Sequence, residues 1–302
     1  MTAAHCIALD ASFTVVVGRH NLTDTTVGDD VTKSKKIPHP QYDIRVSDDY
    51  DVALVFLSRP TTADVDVLQI NTDHSLPAVG AAGVYLGWGE IDTDRTTLNI
   101  SETLREVWVY AISNEQCEAS AGIVDGTNVT DSYDGLITSN MVCTHAKDKD
   151  SCQKDSGGPL ILRGEDARGD IQIGIASWGI ACASKIFPGV AARCSSVYSW
   201  IEDTICKNSN APGPNFECSN IANDNSGIIG VEAGPDNVVD DNGIEANTFV
   251  GDDNGVTGIE MSGLDNIFEG DRMRSVATNT QSGNALSIVM FALFCTLHYN
   301  II

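Results

Sequence analysis

From about Val15 to Ile205 the chain is a succession of short apolar, β-rich runs, each bounded by Gly, Asp, Asn or Pro. Phe13 to Val17, Val52 to Leu57, Gly83 to Leu86, Val107 to Ala111 and Ile171 to Ser177 are examples. Runs of this length between turn residues predict strands. Many of them in series predict an antiparallel barrel or sandwich rather than alternating strands and helices. Only Val197 to Cys206 carries helical spacing, with Val197, Ile201 and Ile205 on one face at four-residue steps.

The pattern changes after Cys206. Asn210-Ala-Pro-Gly-Pro214 is a linker signal, and the next stretch is rich in Asp, Asn and Gly. Residues 207–302 hold 13 acids against 3 bases. A short unit recurs there, as Asp224-Asn-Ser-Gly-Ile228, Asp241-Asn-Gly-Ile244 and Asp253-Asn-Gly-Val256. An EF-hand reading fails, because the first-ligand position counted back from Gly243 or Gly255 holds Val238 or Val250. Composition favours a disordered acidic spacer over 207–284, with a weakly cation-binding stalk as the rival. The chain closes on an apolar tail, 285–302, that is short for a spanning helix. The small and polar residues Ser275 to Asn284 before it fit a GPI-attachment signal, and a tail-anchored helix is the alternative.

Charge and cysteine content narrow the class. With 42 acids against 18 bases the net charge is −24, which excludes a nucleic-acid-binding surface. Nine cysteines without any Cys-x-x-Cys or neighbouring histidine pair predict disulfides rather than a metal site. Three glycosylation sequons, at Asn21, Asn99 and Asn128, agree with an extracellular or cell-surface chain. Against this, Met1-Thr-Ala-Ala-His-Cys6 has neither the charged start nor the apolar run of a secretory signal.

The segment Asp150-Ser-Cys-Gln-Lys-Asp-Ser-Gly-Gly-Pro-Leu160 carries the most specific chemistry. A serine in a Gly-rich turn exposes its hydroxyl and lets neighbouring backbone N–H groups converge on one spot, as an oxyanion hole requires. Serine needs a histidine base at neutral pH, and the base needs a carboxylate to hold its tautomer. Upstream candidates are His5 in Thr2-Ala-Ala-His-Cys6 and Asp51 in Asp51-Val-Ala-Leu54.

These motifs resemble those of the trypsin/chymotrypsin family of serine endopeptidases, over His5 to about Cys206. Gly87-Trp-Gly89, Ile112-Ser-Asn-Glu-Gln-Cys117, Asn140-Met-Val-Cys143, Ser177-Trp-Gly179, Pro188-Gly-Val190 and Tyr198-Ser-Trp-Ile201 share in the resemblance. It implies an all-β fold of two antiparallel six-stranded barrels, the first incomplete here, closed by a C-terminal helix. The protease domain would span 1–206. His5 is implied as general base, Asp51 as its partner and Ser156 as nucleophile, with the N–H groups of Lys154 and Ser156 as oxyanion donors. Asp150 at the pocket base would select Arg or Lys before the scissile bond, with Ser151, Gly179 and Gly189 shaping the pocket. Ser177, Trp178 and Gly179 would pair with the substrate backbone. The resemblance pairs Cys117 with Cys143 and Cys152 with Cys182. Cys206 and Cys218 are candidates for a short loop, with Cys194 a competing partner. No cofactor is implied. Protein substrates and protein inhibitors are the expected partners, with membrane attachment through the tail. A decayed homologue serving as an extracellular binding protein is the alternative.

Several features depart from the family pattern. The resemblance places further strands, a partner for Cys6, a signal and a propeptide before the histidine motif, so the chain is expected to begin inside a longer protein. Asp155 is then expected to lack the freshly cleaved ammonium that orders the family's site, leaving it incompetent as written. Lys154 stands where the family has glycine. If that position needs φ > 0, the lysine is strained by about 1–3 kcal/mol, and its side chain lies on the leaving-group side, where it would disfavour some inhibitors or favour acidic residues. Ala181 likewise replaces a glycine at the pocket rim.

Overall fold

Chain topology was taken from a computed structural model, which describes residues 1–8, 13–91, 99–147, 151, 154–213, 215, 216 and 218. Most of the spacer and the whole apolar tail, with Cys295, lie outside the described residues. So do Asp150 and Cys152.

The first lobe is a three-stranded antiparallel sheet in the order β1 (Thr14–Val17), β2 (Asp29–Pro38), β3 (Ala53–Leu57). Val15 and Val17 of β1 turn inward to meet buried Val31 of β2. One face of β2 stays in solvent, which is why its sequence is largely polar. Ahead of β1 a single turn of helix, α1 (Ala4–Ala8), is tied to β3 through Thr2 and Ala53, which exchange backbone hydrogen bonds of 2.9 and 2.7 Å.

The second lobe contains β4 (Gln69–Ile70), β5 (Ala82–Gly87), β6 (Arg105–Ile112), α2 (Asn114–Glu118), β7 (Ala121–Ile123), β8 (Thr130–Ser132), β9 (Met141–His145), β10 (Pro159–Leu162), β11 (Ile171–Trp178) and β12 (Gly189–Arg193). Strands β5, β6, β9, β12, β11 and β10 follow one another around a barrel, which closes because β10 pairs with both β11 and β5. Tyr85, Val109, Val142, Leu160, Ile173 and Ala191 fill it. β4 adds to β11 in parallel, and β7 and β8 form a separate hairpin. The expected all-β architecture, with a closed six-stranded antiparallel barrel and a C-terminal helix, is the one observed.

The helix α3 (Cys194–Asn208) extends the expected 197–206 at both ends. Val197 and Ile201 bury its inner face in a cluster that includes Ala3, Val52 and Leu54 of the first lobe and Ile175 and Ala192 of the barrel. This shared core joins the lobes. The expectation of one helix is corrected by α1 and α2. Five residues are too few to register a helical period. α2 does carry a local signal, since Ser113 caps Gln116 N–H at 3.1 Å and the Gln116 side chain returns to Ser113 N–H.

Candidate active site

Three elements bring the site together. α1 presents His5, the residues entering β3 present Asp51, and β11 presents Ser177. The Asp51 side chain is fully buried, so its charge requires donors. It has three: His5 N–H to Oδ1 at 2.9 Å, His5 Nδ1 to Oδ2 at 2.6 Å, and Ser177 Oγ to Oδ2 at 2.5 Å. An ionised carboxylate accepts only, so Nδ1 carries the proton and Nε2 is left as the basic nitrogen.

Ser156 lies half-buried in the turn between the described residue 154 and β10. Gly157 N–H donates to Ala176 O at 2.8 Å and Ala176 N–H to Gly158 O at 2.9 Å, tying the turn to β11. Gly157 has φ +84°, and a Cβ there would overlap Thr2 Oγ1, so the turn rests directly on the segment bearing His5. Cys6 Sγ sits 3.6 Å from the Ser156 carbonyl oxygen.

Asp155 was expected to be left without its ammonium; in the structure its Oδ1 accepts the Gly89 N–H at 2.7 Å. Neither Gly87 nor Gly89 has room for a Cβ beside that carboxylate. Lys154 adopts φ +76°, so the condition attached to its strain is met. Ala181 (φ +64°) and Ala183 (φ +51°) are also left-handed, on either side of Cys182. Cys182 is disulfide-bonded. Its expected partner Cys152 is outside the described residues.

Gly179 and Gly189 face one another, with a Cβ on Gly179 only 3.7 Å from Gly189 Cα. Ser151 and Trp178 are half-buried nearby in the chain, and Asp150 lies outside the described residues. Sequence reasoning missed Tyr133. Its buried hydroxyl donates to Pro188 O at 2.9 Å and accepts from Ile180 N–H at 3.0 Å, bridging the segments that hold Gly179 and Gly189. Its ring meets Trp178 edge-on at 4.9 Å. No local motif marks it.

Cys117 is bonded to Cys143, and Cys206 to Cys218. The competition for Cys206 is thereby resolved, and Cys194 is a buried thiol whose pKa burial pushes up to about 12. Among the described residues no cluster of His, Cys, Asp and Glu can hold a metal, and no helix is long and apolar enough to cross a membrane.

The closed barrel, the C-terminal helix and the His5–Asp51–Ser177 network between the lobes belong to the architecture of serine proteases. The trypsin family profile matches residues 1–201. An anionic trypsin of Canis lupus familiaris is 34% identical over 213 residues, covering 69% of this chain and 76% of that protein. A trypsin of Sus scrofa is 32% identical, over 69% and 81%. Among solved structures, neuropsin, a serine protease of mouse brain, superposes with TM-score 0.56 at 29% identity, over 68% of this chain and 83% of its own. The chain belongs to the trypsin family of serine proteases, a family of hydrolases acting on protein substrates.

Proposed function

We propose that this chain is an endopeptidase that cleaves after Arg or Lys through a covalent acyl-enzyme. The observation that carries the reading is the buried Asp51 carboxylate gripping His5 Nδ1 at 2.6 Å while Ser177 holds its second lone pair. In this reading Nε2 of His5 takes the Ser156 hydroxyl proton as Oγ attacks the scissile carbonyl. Asp51 stabilises the imidazolium that forms and stays ionised. The N–H groups of Lys154 and Ser156 receive the developing oxyanion. Collapse expels the amine, which takes its proton from Nε2. Water then repeats the cycle on the acyl-enzyme.

The substrate would lie as an added strand along Ser177, Trp178 and Gly179. Its P1 side chain would pass between Gly179 and Gly189 towards Asp150, where an unpaired carboxylate selects a cation. Protein inhibitors would use the same groove. The domain reading is a protease unit over 1–206, a spacer over 207–284 and a tail over 285–302, with membrane attachment through the tail. Extracellular location and glycosylation are part of the proposal: the Asn128-Val-Thr130 sequon is exposed where the chain enters β8.

The test uses the full-length protein, expressed and activated by cleavage, and its Ser156→Ala variant. A serine-directed phosphonate should label the first and not the second, and arginyl peptides should be hydrolysed far faster than glutamyl or leucyl ones. Hydrolysis persisting in Ser156→Ala refutes the nucleophile. A folded parent chain that takes no label favours the binding-protein alternative, towards which the left-handed Lys154 beside the oxyanion site points.

A further inference from the structure

Resting on the catalytic reading above, we infer that Asp49 is a positioning residue that fixes Asp51 in place by latching its loop to the opposite lobe. His5 and Asp51 come from the first lobe, and Ser156 and Ser177 from the second. Productive geometry therefore depends on something registering one lobe against the other close to Asp51.

The loop leading to Asp51 is a poor candidate for rigidity by itself. Asp43, Ile44, Arg45 and Ser47 are exposed, and Asp43, Asp48 and Tyr50 all hold left-handed backbone, with φ of 56°, 57° and 55°. Such residues keep that conformation only where their surroundings over-determine it. Within the loop, Asp43 N–H donates to Asp49 O at 3.1 Å and Asp49 N–H to Val46 O at 3.2 Å. These bonds shape the loop but tie it to nothing else.

Asp49 supplies the tie. It is 7% exposed, the one buried residue from Asp43 to Tyr50. Its Oδ1 accepts Thr138 Oγ at 2.7 Å and Asn140 Nδ2 at 3.1 Å, and its Oδ2 accepts Asn140 Nδ2 at 3.2 Å. Thr138 and Asn140 belong to the turn that enters β9 of the closed barrel. That turn is itself braced: Asn114 Nδ2 donates to Thr138 O at 2.6 Å, Arg193 N–H to Asn140 O at 2.7 Å, and Arg193 Nε to Ser139 O at 3.1 Å. The next residue adds an apolar contact. The Tyr50 ring stacks on His39 at 4.6 Å, and His39 meets Trp200 of α3 edge-on at 4.7 Å.

A carboxylate buried against neutral donors is an expensive way to pack a loop. It is a directional one, because hydrogen bonds to an ionised acceptor are shorter and stronger than neutral ones. Two residues further on, Asp51 must meet His5 and Ser177 together. A displacement of about 1 Å there is enough to lower turnover about 100-fold.

The experiment compares the activated full-length protein, as parent chain, with its Asp49→Ala, Asp49→Asn and Thr138→Val variants. Four quantities are read: phosphonate labelling rate per folded molecule, kcat and KM on an arginyl peptide, and the low-field proton resonance of His5 Nδ1. Asp49→Ala should lower kcat and labelling about 10- to 100-fold, leave KM within about twofold, and shift or broaden the His5 resonance. Asp49→Asn keeps one acceptor oxygen and should recover part of the loss. Thr138→Val removes one donor and should lower kcat about threefold to tenfold, which decides the matter if Asp49→Ala does not fold. Parent-like labelling and an unmoved resonance in the folded variants overturn the inference. So does a lower melting temperature with an unchanged rate per folded molecule, the mark of a merely structural residue. Should the parent chain take no label, the catalytic reading fails, and the His5 resonance alone decides whether Asp49 positions the pair.

Discussion

Replacing Lys154 by glycine should stabilise this protein, although glycine normally weakens a fold. Lys154 holds φ +76°, where a Cβ crowds the following carbonyl and costs about 1–2 kcal/mol. Glycine removes that crowding but gives the unfolded chain more freedom, a penalty of about 0.4–1 kcal/mol. The net is a gain of about 0.5–1 kcal/mol. In urea, with a slope of about 2 kcal/mol per molar, the midpoint should rise by about 0.3–0.5 M. Lys154→Ala is the control, because it deletes the lysine side chain and any contact it makes while keeping the Cβ. Alanine should therefore show no gain. Equal midpoints for the alanine and glycine variants, or a glycine variant less stable than the parent, would refute the argument that the backbone at 154 is strained.

Burial holds the His39 pKa down to about 4, the nearby Asp49 charge opposing the shift only in part. The unfolded imidazole protonates near its ordinary value, so stability is present above about pH 6.5 and is lost as pH falls towards 4. Urea midpoints should show a loss of about 1–2 kcal/mol between pH 7.5 and 5 that flattens in His39→Gln; an unchanged slope in that variant would assign the loss elsewhere. Gly157 and Gly126 both have positive φ, but a Cβ at Gly157 runs into Thr2 and Ala3 whereas one at Gly126 meets nothing within 4 Å. Gly126→Ala should lower stability by about 1 kcal/mol, and Gly157→Ala by more than about 2–3 kcal/mol with loss of labelling at Ser156. Equal effects on melting in the two variants would dissociate Gly157 from the packing described here.

The motifs around His5, Asp51 and Ser156 were legible because each is a short run whose residue types are dictated by local backbone and chemistry. The β-rich body and the inner face of α3 were legible for a similar reason, since burial on one side imposes a period on the sequence. β2 was harder to see: with one face in water, its ten residues include three lysines and two aspartates. α1 was invisible because one turn of helix has no period, and the tie between Thr2 and Ala53 holds it in place. The choice between Cys194 and Cys218 as partner for Cys206 turned on distance in space, which the order of cysteines does not encode.

By itself the sequence determined the family, the strand-rich barrel with its closing helix, and the residue types that could perform acyl transfer. Only the tertiary structure decided how many donors Asp51 receives, that Lys154 sits in left-handed backbone, that Tyr133 bridges the segments holding Gly179 and Gly189, and that Asp49 spans the lobes. The reason is separation along the chain. Asp51 meets Ser177 across 126 residues, and Asp49 meets Asn140 across 91. Such pairs form because two lobes are pressed together by a shared apolar core, and no local propensity records which polar groups that closure will bring face to face.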